Sequence, residues 1–138
     1  MQKFILACAL IFSGTCISAQ TGTTKADPRV SDHFGQEKIE LWQNSNDSIE
    51  YYNFIASHVF ELYSQEYIDA VNPANIKTIN LSDSEIEALQ TDISQFNIFS
   101  STIPWKTSEN QWYKVVGTNL YLLIHNEEYI NKKFNSVK

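Results

Sequence analysis

Apolar and polar positions divide the chain into an apolar leader, a polar stretch, two helical patterns and a β-rich end. After Met1-Gln2-Lys3, an unbroken apolar run covers Phe4–Phe12. Polarity then rises through Ser13-Gly14-Thr15, and Ile17-Ser18-Ala19 precedes Gln20. A basic start, a short apolar centre and a small residue before the cut are the pattern of a cleavable secretory signal over residues 1–19, with cleavage between Ala19 and Gln20. The apolar run is far shorter than the roughly 20 residues a membrane-spanning helix needs. A lipid anchor on Cys16 is disfavoured, because Thr15 and Ser13 occupy positions where small and Leu-like residues are expected.

Residues 20–30 are polar, carry Gly and Thr, and include Pro28, so they read as a flexible lead-in to one domain over 31–138. Ser31 is placed to cap a helix over 32–43, with Phe34, Ile39 and Trp42 on one stripe. A longer helix is predicted over 47–65, apolar on more than one side through Ile49, Tyr52, Ile55, Ala56, Val59, Phe60, Leu62 and Tyr63. Ile76–Leu81 suits a short strand. Ser82-Asp83-Ser84-Glu85 has the spacing of a capping box and starts another helix. Phe96–Ser101 alternates as a strand, and the polar stretch 100–111 reads as a loop holding Ile103-Pro104-Trp105.

The sharpest pattern is Trp112–Val116, then Gly117-Thr118-Asn119, then Leu120–Ile124. Two β-rich runs around a Gly/Asn turn make a hairpin. The second run is apolar on both faces and belongs inside the sheet. Asn126 caps a closing helix, with Glu127 and Glu128 at its positive end and Lys132 and Lys133 at its negative end. The expected class is α+β: N-terminal helices packed on a small antiparallel sheet, then the hairpin and a closing helix.

Composition narrows the function more than it identifies it. The chain of 138 residues has net charge −6, and without residues 1–19 it keeps nine basic against 16 acidic residues, net −7. This balance opposes nucleic acid and anionic membrane surfaces, which need clustered Lys and Arg. Both cysteines, Cys8 and Cys16, fall in the leader, so a processed chain would be cysteine-free and rely on packing, aided by its aromatic side chains.

Candidate chemistry is sparse. His33 beside Asp32, His58 with Glu61 three residues on, and His125 at a strand end are the imidazole positions. Each alone supplies too few ligands for a metal and no nucleophile, and a structural histidine is the simpler reading. No phosphate loop or nucleophile elbow is present, so no cofactor is implied and no enzyme class is supported. The aromatics suggest a binding surface at Ile103, Trp105, Trp112 and Tyr113, against the alternative that they fill a core. Asp47-Ser48-Ile49 matches a three-residue O-glycosylation acceptor, a pattern frequent by chance.

Asp27-Pro28-Arg29, Phe34-Gly35-Gln36-Glu37-Lys38, Tyr51-Tyr52-Asn53-Phe54 and the Tyr113–Asn119 hairpin together resemble small exported proteins of Gram-negative bacteria to which no activity is assigned. The resemblance implies export and carries over no functional residues. The reading is thus an exported protein, periplasmic or at the cell surface, that acts as a non-catalytic binding or accessory component of the envelope with a protein partner. The alternatives are a periplasmic immunity or inhibitor protein, and a small hydrolase using His33 or His58. Intact mass of the protein isolated from cells tests the leader: a chain starting at Gln20 is expected, and a lipid-modified start at Cys16 would overturn it.

Overall fold

The computed structural model describes residues 23–44 and 46–138, so the signal-peptide reading lies outside the described residues. Among the described residues, six α-helices and a four-stranded sheet make an α+β fold, with helices preceding the sheet and one closing it. The helices are α1 (Pro28–Phe34), α2 (Gln36–Trp42), α3 (Asn46–His58), α4 (Gln65–Val71), α5 (Asp83–Thr91) and α6 (Glu127–Ser136). The strands are β1 (Phe60–Ser64), β2 (Lys77–Ile79), β3 (Gln111–Val115) and β4 (Leu120–Ile124), in the order β1-β4-β3-β2. The hairpin forms as expected, with β4 inside the sheet. The sheet is mixed and not wholly antiparallel, because β2 runs parallel to β3.

The N-terminal stretch departs from the expected flexible lead-in. Asp27 caps α1 through its carboxylate and Pro28 takes the first turn, where its missing N–H costs nothing. The Asp27 amide donates to Asn53 Oδ1 at 2.7 Å, and Asn53 Nδ2 donates to the Lys25 carbonyl at 2.9 Å. Val30 is fully buried. The residues that carry the resemblance, Asp27-Pro28-Arg29 and Asn53, therefore form one local clamp between α1 and α3.

Gly35 divides the helix expected over 32–43. Its φ of +82° is a conformation that L side chains rarely adopt, and it turns α2 away from α1. The turn brings Phe34, Trp42 and Tyr52 together, with ring centroids 4.7–5.0 Å apart. The helix expected to reach Gln65 instead ends at His58. Phe60–Ser64 pairs with β4, a distant partner that an apolar pattern shared by helix and buried strand could not reveal. Phe96–Ser101 is not a strand. Asn97 Oδ1 accepts from the Phe99 amide at 3.1 Å and folds the segment so that Phe96, Ile98 and Phe99 are all buried.

The Ser82 capping box is present with both reciprocal bonds, and Asn126 Oδ1 accepts from the Tyr129 amide at 2.8 Å. The main core lies between the helices and one face of the sheet. Val30, Ile39, Ile49 and Ile55 meet Phe60, Tyr113, Val115, Leu122 and Ile124 there. The chain as a whole is not cysteine-free: it holds Cys8 and Cys16, and only the described residues lack cysteine. Among the described residues no helix is long and apolar enough to cross a membrane.

Arg29 joins the parts of this layer. Its Nε and Nη2 donate to the two Asp27 oxygens at 2.9 and 2.8 Å, while Nη1 donates to the Ala56 carbonyl at 2.8 Å and the Phe96 carbonyl at 3.4 Å. Nη2 also reaches Ser57 Oγ at 3.1 Å. Arg29→Ala is expected to destabilise the protein by about 2–3 kcal/mol in urea unfolding, since two carbonyls and a carboxylate lose donors. Arg29→Lys should rescue little of this, because one ammonium cannot replace a planar fork.

Candidate functional site

Antiparallel pairing places opposed residues on the same face, so the register assigns the outer face directly. Glu61 and Tyr63 of β1, Leu123 and Tyr121 of β4, and Trp112 and Lys114 of β3 share the face opposite the main core. Tyr121 and Ile68 are buried yet stand apart from the main core. α4 contacts β1 and β4, and the Tyr121 hydroxyl donates to Gln65 Oε1 at 2.7 Å. Tyr67 stacks on Tyr63 with centroids 4.3 Å apart, and Trp112 lies 5.1 Å from Tyr63. Lys114 Nζ sits 5.6 Å over the Tyr121 ring. Tyr67 is 42% exposed, and Glu61, Tyr63, Trp112, Lys114 and Leu123 are half-buried. This makes a firm aromatic surface edged by one carboxylate and one ammonium.

A polar cluster closes one end of the face. His125, buried just after β4, holds Nε2 at 2.9 Å from Glu61 Oε1. The carboxylate can only accept, so the imidazole donates there. The Tyr63 hydroxyl donates to Glu61 Oε2. Tyr129 of α6 stacks on the imidazole at 3.9 Å, and Lys133 Nζ donates to the Tyr129 hydroxyl at 3.1 Å. His125 Nδ1 is buried without a hydrogen-bond partner among the described residues. The cluster ties β1, β4 and α6 together. Thr107, whose carbonyl accepts from the Glu127 amide at 2.9 Å, also has a buried Oγ1 without a hydrogen-bond partner among the described residues.

The Tyr63 hydroxyl, then the His125 imidazole, hold the Glu61 carboxyl below the usual glutamate range, against a smaller opposing effect of burial than the Tyr63 bond exerts. The same bond, with burial, pushes the Tyr63 phenol well above its ordinary value.

The residues expected as a binding surface separate. Ile103 is 2% exposed and Tyr113 is 5% exposed, so both are core residues and neither can line a docking surface. Trp105 is half-buried, its ring 5.1 Å from Phe99. Trp112 alone of the four belongs to the outer face. His33 is exposed and stacks on Phe99 at 5.6 Å, while His58 is exposed at the end of α3 with Nδ1 2.9 Å from the Phe54 carbonyl. His58 and Glu61 do not share a helix face, because the helix ends between them and Glu61 pairs with His125 instead. Tyr63, Tyr67 and His125–Glu61 escape a linear reading, since long-range strand pairing assembles them.

Arg29 borders a cleft of about 140 Å³ with Ala56, Ser57, Phe60, Ile93 and Ser94. Its guanidinium nitrogens already donate to protein oxygens, which removes it as an anion anchor. No group of three or more His, Cys, Asp or Glu side chains among the described residues is placed to hold a metal ion. No protein-family model, curated protein or solved structure matches the chain.

Because the folded Glu61 pKa is depressed, its contribution to stability is present above the unfolded value and is lost as pH falls from the usual glutamate range, about 4.3, through the folded value. The raised Tyr63 pKa contributes stability below the ordinary value near 10, lost as pH rises beyond it through the folded value. Tyr63→Phe should therefore flatten both the acid and the alkaline limbs of a stability–pH curve measured by thermal unfolding. Unaltered limbs would count against the bond.

Proposed function

We propose that the protein is an exported, non-catalytic binding component of a bacterial envelope, engaging a protein partner through the outer face of its sheet. The supporting observation is the aromatic group Tyr63, Tyr67 and Trp112 beside Leu123, held in place by stacking and edged by Glu61 and Lys114. Rigid, amphipathic rings lose little conformational freedom on contact, which is why Trp and Tyr anchor many interfaces. Export rests on the leader pattern of residues 1–19 and on the resemblance to small exported proteins.

An inhibitor or immunity role is favoured by one observation, the net charge of −6, which suits a basic partner. A hydrolase is less well supported. His33, His58 and His125 occupy separate places, and the one histidine paired with a carboxylate among the described residues is covered by the Tyr129 ring.

Capture of envelope proteins by the tagged protein tests the reading. Trp112→Ala should weaken capture about tenfold or more if Trp112 is an anchor, while Trp105→Ala should leave it unchanged. The opposite order would move the surface to the loop.

A further inference from the structure

The sheet order leaves β1 and β2 as its edges. β2 has three residues and carries Lys77, two features that discourage another strand from joining. β1 has five residues, Phe60-Glu61-Leu62-Tyr63-Ser64, with neither Lys nor Pro to guard it. In an antiparallel ladder, successive residues turn their backbone groups alternately toward the partner strand and away from it. The His125 amide donates to the Val59 carbonyl at 2.8 Å, which fixes the phase. Glu61 and Tyr63 thus face β4 with their backbone groups, whereas Phe60, 5% exposed, and Leu62, half-buried, turn theirs away from β4 to the side where no strand pairs.

Chemistry on either side of that edge differs. At Phe60 lies the cleft of about 140 Å³, whose apolar walls are Ala56, Phe60 and Ile93, the last 45% exposed. Its size suits one aliphatic side chain. Toward the outer face stands the Glu61 carboxylate, and α4, which leaves β1 directly, adds exposed Glu66 and Asp69. The lysines of the outer face and its end, Lys114 and Lys133, belong to β3 and α6.

We infer that β1 accepts an added strand from a protein partner, an extended segment in which aliphatic residues alternate with Lys or Arg. The aliphatic residues face the cleft at Phe60, and the basic ones lie beside Glu61, Glu66 and Asp69. Backbone bonds to Phe60 and Leu62 supply the pairing, and the alternation supplies the selectivity. A second copy fits poorly, because it would set two acidic edges together, each on a chain of net charge −6. The inference rests on the protein-binding reading above and specifies the segment that binds.

Amide hydrogen exchange on the purified protein, with a short synthetic peptide of alternating valine and lysine, tests it. The Phe60 and Leu62 amides should exchange about tenfold more slowly or beyond when the peptide is added. A valine–glutamate peptide should give no such slowing, and Glu66→Lys with Asp69→Lys should weaken the lysine peptide several-fold, about what two exposed charges supply. No slowing at any peptide concentration, or equal slowing by both peptides, overturns the inference. Slowing that rises with protein concentration alone identifies a second copy and overturns it too. Partner capture that depends on Trp112 while the β1 amides stay silent leaves the protein-binding reading standing without the added strand; protected amides with no captured partner do the reverse.

Discussion

One guanidinium holds the helical layer in register. Arg29 leaves the first turn of α1, closes on Asp27 in its own cap, and donates to carbonyls at the end of α3 and in the Phe96 turn. Those carbonyls have no partner within a regular ladder, so a half-buried fork of donors meets a need that the helices and sheet leave open. Asn53 strengthens the same junction by accepting from Asp27 and donating to Lys25. Val30 then enters the core at a fixed depth, and α1 and α2 can place Phe34 and Trp42 against Tyr52.

The second organising group works at the opposite face. Glu61 receives His125 on one oxygen and Tyr63 on the other, so an edge strand, a central strand and the closing helix meet at one carboxylate. The Glu61 side chain is itself 41% exposed, and its two charge-assisted donors turn it into a joint. The joint also orients Tyr63, on which Tyr67 and Trp112 build the aromatic surface. The structural joint and the aromatic surface thus share residues on this face, whereas the Arg29 guanidinium is spent on bonds within the fold.

What could be read from the sequence follows from how local each cause is. The Ser82 capping box, the Asn126 cap and the Gly117 hairpin involve neighbours within a few residues, and each appears where the pattern places it. The break at Gly35 was equally local but lay inside an apolar stripe that continues across it, so periodicity hid the turn. Phe60–Ser64 failed for a deeper reason: Phe60, Leu62 and Tyr63 suit a buried helix as well as a strand, and only pairing with Leu120–Ile124 decides. The candidate site inherits that difficulty. The hairpin's alternation sets Trp112 and Tyr113 on opposite faces without saying which face is covered, and Ile103 and Tyr113 lie in the core through contacts no linear pattern displays.

The strand order has a consequence for how the chain assembles. β1 comes first in the sequence, yet its ladder partner β4 is the last strand to emerge, and closing such a long loop early is entropically unfavourable. β1 therefore gains its ladder only once the β3–β4 hairpin is present. Its topology acts as a timer, deferring closure of the sheet at β1 until β4 is available.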